Sequence, residues 1–278
     1  MNIVVCVKHV PDATADRRFE DDGTVDRLGV DGLLSELDEY AVEQALQVKE
    51  RLGDAAGETT LTVLTVGPEQ AGDAIRKALQ MGADRGVHVL DDAVAGSDAV
   101  ATSLVLAEAV RKVGAELLEG GWDLVVCGMA STDGSMGVLP AMLAERLEVP
   151  ALTLASEVEV SPGEGGAGGV GVRIRRDGDT ATETVEAALP AVVSVTDQSG
   201  EARYPSFKGI MAAKKKPMET WSLADLGVDA SLVGAGAAYT SVEDATARPP
   251  RTAGEIVKDE DGAGAKALAE FLASKKFV

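Results

Sequence analysis

The stretch Asp123-Leu124-Val125-Val126-Cys127-Gly128-Met129-Ala130-Ser131-Thr132-Asp133-Gly134-Ser135-Met136-Gly137 decides the fold. It begins as a short apolar run and continues as small and polar residues with glycines. Residues 138–147 then place apolar side chains at helical spacing. The stretch therefore predicts a strand, a loop and a helix.

A loop of this composition is a candidate ligand site. In an open parallel sheet, ligands bind beyond the carboxyl ends of the strands, where the N–H groups at a helix start attract anions. Glycine lets the backbone approach a phosphate, and serine, threonine and aspartate supply partners for a ribose or a base. An ordinary strand-to-helix connection has the same appearance, and the GxxxxGK[ST] motif of P-loops is absent.

Strands and helices alternate from the start of the chain to this loop. The strands are predicted at 2–8, 59–66, 86–90 and 123–127, and the helices at 36–52, between Pro68 and Gly82, at 98–118 and at 138–147. The first helix begins with Ser35-Glu36-Leu37-Asp38, which has the form of a capping box. Alternation of this kind predicts an α/β fold, a Rossmann-like doubly wound, mostly parallel sheet.

The strand order decides where a ligand would bind. If the order is 3-2-1-4, the sheet reverses direction between the first and fourth strands, and Cys6 and Cys127 are neighbours there. The loops after strands 1, 2 and 4 then meet in one crevice, which the helix start at Ser35 closes from the side. We expect a nucleotide-sized site at this position.

After Pro150 the apolar period changes from helical to two. Residues 151–160, 170–176 and 180–188 predict an antiparallel extension, and 190–196 predicts another strand. The letters GxGxxG at 166–171 precede a strand rather than a helix, so they predict a hairpin loop and not a dinucleotide site.

The remaining chain carries a candidate contact surface and an arm. Residues 203–211 predict a loop whose aromatic side chains, Tyr204 and Phe207, contact another protein, or alternatively lie against their own sheet. We predict a nucleotide-binding domain over 1–216 and an irregular C-terminal arm over 217–278, which ends in a short amphipathic helix and wraps a partner.

Composition excludes several classes of protein. A formal net charge of −20 argues against nucleic-acid binding. No apolar run is long enough for a membrane span and no signal peptide is recognisable, so we expect a cytoplasmic protein without membrane insertion. Two cysteines and two histidines give no support for a metal site, and no set of residues has the spacing of catalytic side chains.

Several motifs in one order resemble the beta subunits of electron transfer flavoproteins. They are Val5-Cys6-Val7-Lys8, Glu39-Tyr40-Ala41-Val42-Glu43-Gln44-Ala45, Val66-Gly67-Pro68, Ser131-Thr132-Asp133-Gly134, Leu189-Pro190-Ala191-Val192-Val193, Arg203-Tyr204-Pro205-Ser206-Phe207-Lys208-Gly209-Ile210-Met211 and Arg251-Thr252-Ala253-Gly254-Glu255. The resemblance covers nearly the whole chain and implies an adenine nucleotide alpha hydrolase-like fold.

The resemblance also implies a function. Such a beta subunit is an electron carrier rather than an enzyme, and it pairs with an alpha subunit that holds most of the FAD. It receives electrons from acyl-CoA and other dehydrogenases and passes them to a quinone oxidoreductase or another acceptor, with Phe207 at the dehydrogenase contact. The resemblance places AMP against Cys6, Ser35, Glu36, Leu37, Asp38, Val66, Gly128, Met129, Ala130, Ser131, Thr132, Asp133, Gly134, Ser135, Met136 and Gly137.

Two alternatives stay open at this point. Electron-bifurcating relatives bind a second FAD in the beta subunit and continue the loop as Asp-Gly-Asp-Thr-Ala-Gln, whereas this chain has Asp133-Gly134-Ser135-Met136-Gly137. A stand-alone sensor that binds an adenine nucleotide would use the same sheet, but it would have little use for the arm.

Overall fold

The computed structural model describes residues 1–15, 17–53, 58–165, 169–246, 248–249, 254, 256–259 and 262–278. The strands in chain order are β1 (Asn2–Cys6), β2 (His9–Pro11), β3 (Gly32–Leu34), β4 (Thr60–Val66), β5 (Arg85–Val89), β6 (Leu124–Gly128), β7 (Ala151–Ala155), β8 (Glu157–Gly165), β9 (Gly169–Asp177), β10 (Thr182–Ala188), β11 (Ala191–Val195) and β12 (Met218–Trp221). The helices are α1 (Glu36–Leu52), α2 (Gly72–Met81), α3 (Ala99–Lys112), α4 (Leu139–Leu147), α5 (Phe207–Ala213), α6 (Leu223–Leu226) and α7 (Gly264–Ser274).

The central sheet has seven strands in the order β12-β5-β4-β1-β6-β11-β7, and all of its pairings are parallel. The four strands predicted first occupy the order 3-2-1-4 within it, as β5, β4, β1 and β6. The predicted doubly wound α/β fold is therefore confirmed, including the reversal between β1 and β6.

Both faces of the sheet are buried around its centre, which is why the central strands β1, β6 and β11 are mostly apolar. Ile3 and Val5 belong to a core cluster with α1, α2 and the antiparallel strands. Val4 and Cys6 point to the other face and pack with α3, α4 and Trp221. Aliphatic side chains dominate both clusters.

The antiparallel extension is a separate sheet of β10-β9-β8. The prediction of one strand over 151–160 was wrong, because the chain divides there. Residues 151–155 form β7 at the parallel edge beside β11, Leu154 has a φ of 62°, and β8 begins at Glu157. The predicted hairpin joins β8 to β9, while Gly166, Ala167 and Gly168 of the GxGxxG letters lie outside the described residues.

Two further segments differ from their prediction. The predicted loop at 203–211 contains α5, which starts at an N-cap where the Ser206 hydroxyl accepts from the Gly209 amide. Residues 218–221, predicted as irregular, form β12 beside β5.

The described chain divides into two compact units, 1–243 and 244–278. The boundary between the units lies after residue 243, whereas the predicted boundary lies after residue 216. The two differ because β12 and the segment that follows it belong to the first unit. The second unit contains the predicted terminal helix as α7, and most of the motif at 251–255 lies outside the described residues. That an arm wraps a partner stays a prediction. No described helix has the length and apolar character to cross a membrane.

Candidate functional site

A cavity of about 290 Å³ opens at the carboxyl ends of β1, β4 and β6. This volume is near the lower limit of roughly 300 Å³ for small-molecule pockets. The ends of the three strands meet there because β1 lies between β4 and β6. The wall includes Cys6, Val7, Lys8, Asp38, Val66, Ser97, Asp98, Ala99, Thr102, Leu106, Cys127, Gly128, Ala130, Ser131, Gly134, Met136, Gly137, Val138, Leu139, Pro140 and Thr240.

Two thiols lie side by side in this wall. Cys6 and Cys127 end neighbouring parallel strands, and both are buried free cysteines. The hydrogen bond of the Cys127 thiol to Cys6 and the burial of the thiol both favour its protonated form, and they raise the pKa of Cys127. The two buried cysteines and aliphatic neighbours such as Val66 and Leu106 give this part of the cavity an apolar surface.

Asp38 is the buried carboxyl group of the cavity. One of its oxygens accepts from the Lys8 amide at 2.8 Å, and the Gly128 amide is a second backbone donor. Burial raises the pKa of Asp38 to about 7 even though these hydrogen bonds oppose the shift. The predicted helix start is confirmed, because Ser35 is the N-cap residue of α1. The side-chain bonds of a capping box are not formed: the Ser35 side chain makes no cap bond, and the Asp38 carboxyl group accepts from Lys8 and Gly128 instead.

The start of α1 is packed tightly against the end of β6. A Cβ atom at Gly128 would meet Asp38 Oδ1 at 2.5 Å and the Leu37 carbonyl oxygen at 2.8 Å, so only glycine fits there. The Ser35 hydroxyl is buried beside this contact and has no hydrogen-bond partner in the described part of the chain. This hydroxyl is not part of the cavity wall.

The loop after β6 is held by an ion-pair cluster around Asp133. The Asp133 side chain is only 2% exposed, and it lies 2.9 Å from Lys8 Nζ and 2.6 Å from Arg27 Nη2. Burial alone would raise the pKa of Asp133, but the charge of Lys8 and the hydrogen bonds from Ser131, Lys8 and Arg27 hold it well below its usual range. Arg17 also donates to the Thr132 carbonyl at 2.7 Å. The Asp133 carboxylate therefore orients the loop.

Another part of the cavity wall comes from residues that the sequence pattern did not predict as site residues. Ser97, Asp98 and Thr102 at the start of α3 face the cavity, together with Thr240. Asp98 caps α3 through the Ala101 amide and also accepts from the amide and hydroxyl of Thr240. The sequence predicts a helix that starts at Asp98, whereas nothing in the pattern around Thr240 predicts that this residue lines a cavity.

The predicted site residues separate into two groups. Nine of them line the cavity, and the other seven belong to the same segments but lie outside its wall in the described structure. Those seven are Ser35, Glu36, Leu37, Met129, Thr132, Asp133 and Ser135. Nucleotide binding by either group stays a prediction.

The predicted contact surface lies on α5 and the residues before it. Tyr204 is 91% exposed and Phe207 is 81% exposed, and Ile210 and Met211 are partly exposed on the same helix. We call these four residues the docking patch. Their exposure contradicts the alternative that the aromatic residues lie against their own sheet.

The described residues contain no group of three or more histidine, cysteine, aspartate or glutamate side chains arranged to hold a metal ion. The chemistry that the cavity offers is recognition, by apolar surface, by a buried carboxyl group and by backbone N–H groups at the start of α4.

Comparison with known families gives a match over most of the chain. Residues 22–226 match the model of the electron transfer flavoprotein domain. This region includes α1, the cavity loops after β4 and β6, and the docking patch.

Similar curated proteins extend the match to the ends of the chain. The electron transfer flavoprotein subunit beta of Mycobacterium tuberculosis is 44% identical over 278 residues, which cover 100% of this chain and 99% of that protein. The protein of the same name from Megasphaera elsdenii is 31% identical and covers 94% of this chain and 93% of its own length. The caffeyl-CoA reductase-Etf complex subunit CarD of Acetobacterium woodii is 31% identical and covers 92% of each chain.

Proposed function

This chain belongs to the electron transfer flavoprotein family, to its beta subunits, and we propose that it binds AMP in its cavity and docks dehydrogenases in a heterodimer with an alpha subunit. The family gives it a role in electron transfer. The observation that carries the proposal is the cavity where β1, β4 and β6 end.

The residues of the cavity fit an adenine mononucleotide. Cys6, Val66 and Cys127 offer an apolar surface to a base, and Asp38 offers a carboxyl group to polar hydrogens. Gly134 to Leu139 lead into the first turn of α4, where N–H groups without partners in the helix suit a phosphate.

The size of the cavity favours AMP over a second FAD. FAD consists of AMP joined to flavin mononucleotide, and a cavity of about 290 Å³ is already near the lower limit for a small ligand. We therefore assign AMP to this subunit and FAD mainly to the alpha subunit, at the interface between the two. When bound, FAD supplies the flavin ring that accepts and gives electrons.

The partners follow from the family and from the exposed surface. A relative forms a complex with a reductase of a coenzyme A ester, as its name states. This supports an enzyme that acts on coenzyme A esters as a redox partner. We assign acyl-CoA dehydrogenases and similar enzymes as the electron donors and a quinone oxidoreductase or another protein as the acceptor. The docking patch is the surface that we assign to the dehydrogenase, because exposed aromatic side chains are favoured at protein contacts.

The test is acid extraction of the purified heterodimer, followed by chromatography of the released nucleotides. We expect AMP in an amount equimolar with this chain and FAD equimolar with the heterodimer. Twice that amount of FAD without AMP would show a second flavin in place of AMP, and absence of any nucleotide but the single FAD would refute the AMP assignment. A chain that is a compact monomer with AMP and never binds an alpha subunit would instead be a sensor.

A further inference from the structure

Arg203 joins the segment before the docking patch to α1. Its guanidinium contacts Glu43 at 2.7 and 2.9 Å and Glu50 at 2.5 and 3.0 Å, and its own amide donates to Glu43 at 3.1 Å. The Glu43 side chain is only 6% exposed and that of Arg203 is 33% exposed. Tyr204, the first residue of the docking patch, follows directly in the chain.

The electrostatics show that this contact is strong for an ion pair at a surface. Burial would raise the pKa of Glu43, but the hydrogen bonds from Arg203 and Gln47 outweigh burial and lower it. Hydrogen bonds from Arg203 also lower the pKa of Glu50. A planar guanidinium that binds two carboxylates fixes direction as well as distance, which a lysine ammonium does not.

Other contacts hold the segments before and after Arg203 in this chain. Gln44 donates to the Ser199 carbonyl at 2.6 Å on the near side of Arg203. On the far side, Gly209 approaches the Gln80 carbonyl so closely that a Cβ atom would stand 2.5 Å from it, and Lys216 donates to the Leu79 carbonyl. Between these points, residues 203–206 are tied to the body of the molecule by Arg203.

We propose that Arg203 is the positioning residue of the docking patch, which holds Tyr204 and Phe207 in the orientation that a dehydrogenase recognises. The proposal rests on the docking role given above. A surface that is already ordered loses less conformational entropy when it binds. If removal of Arg203 leaves the segment correctly placed in about a tenth of the molecules, the apparent dissociation constant rises about tenfold.

The experiment compares heterodimers that contain the unmodified chain or the Arg203→Gln, Arg203→Lys and Phe207→Ala variants. Hydrogen exchange of peptides within 199–213 measures the order of the segment. Steady-state reduction of each heterodimer by a medium-chain acyl-CoA dehydrogenase with octanoyl-CoA measures KM and kcat, with the unmodified heterodimer as the reference. For Arg203→Gln we expect faster exchange and a KM about tenfold higher, with kcat and FAD content unchanged. Arg203→Lys should restore part of the loss.

Arg76→Gln is the matched control. It removes the same charge from α2, the helix on which α5 packs, but its partner is Asp73 within the same helix. An equal rise of KM in Arg76→Gln would mean that charge, and not position, determines docking, and this would overturn the proposal. Unchanged exchange in Arg203→Gln would overturn it as well.

The docking role of the patch and the positioning role of Arg203 are tested separately. If Phe207→Ala raises KM and Arg203→Gln does not, the docking patch stands and the role of Arg203 falls. If neither variant changes KM, the docking role itself falls, and the positioning role falls with it.

Discussion

The raised pKa of Asp38 predicts that this carboxyl group lowers stability as the pH rises. The folded chain holds the proton of Asp38 up to a pKa of about 7, whereas an unfolded aspartate releases it near 3.9. Between these values the folded state binds more protons than the unfolded state, so the free energy of unfolding falls with pH. Between pH 5 and pH 8 the free energy of unfolding falls by about 2–3 kcal/mol. The fall ends when Asp38 is ionised in both the folded and the unfolded state.

Asp38→Asn removes this titration and keeps an oxygen that accepts from the Lys8 amide. We expect the variant to gain stability relative to the unmodified chain as the pH rises. Urea unfolding of both heterodimers, followed by circular dichroism at pH 5 and pH 8, gives the comparison. Between pH 5 and pH 8, the urea midpoint of the variant should rise by roughly 1 M relative to that of the unmodified chain. The effects of the other titrating groups cancel in this comparison, because both proteins contain them. Midpoints that shift in parallel over this range would refute a raised pKa at Asp38.

Two more substitutions test the walls of the cavity. Gly128→Ala forces a Cβ atom against Asp38 and the Leu37 carbonyl, so we expect a loss of about 1–3 kcal/mol in urea unfolding and a heterodimer purified with less AMP; unchanged AMP content would show that this contact does not shape the site. Asp133→Asn leaves Lys8 and Arg27 without their carboxylate, and should lower stability by about 1–3 kcal/mol at pH 7. Because the pKa of Asp133 is lowered on folding, that difference should shrink as the pH falls below about 4, and a constant difference would contradict the ion-pair account.

The alternation of parallel strands and helices is the part of the fold that the sequence reveals best. Strands buried on both faces are continuous apolar runs, and helices between them carry a clear apolar stripe, so the alternation is visible in β1, β4, β5 and β6. The crossover rule then limits the possible arrangements. If the order 3-2-1-4 is assumed among them, the meeting of Cys6, Val66 and Gly128 in one cavity follows, and the structure has this order.

Elements that lie at a sheet edge or on the surface cannot be predicted in this way from their apolar pattern. β7 and β8 both show a period of two, and the period does not reveal that the chain changes sheet at Leu154. β12 is short and polar at two of four positions because it is an edge strand with a solvated side. α5 has few residues and exposes its apolar side chains, so its pattern is that of a loop until Ser206 is recognised as an N-cap.

The acidic residues of α1 show why the site needs the tertiary structure. In the sequence they fit a solvated helix face, yet Asp38 and Glu43 are buried together with Gln44. Burial of a carboxyl group is unfavourable unless it is protonated or paired, and the two residues use these different solutions. Asp38 has a raised pKa and accepts from Lys8 and Gly128, whereas Glu43 stays ionised against Arg203, which lies 160 residues later in the chain. A partner so distant in the chain leaves no periodic signal in the sequence. The helix α1 therefore carries both the proposed nucleotide contact and the support of the docking patch, although its apolar pattern predicts neither.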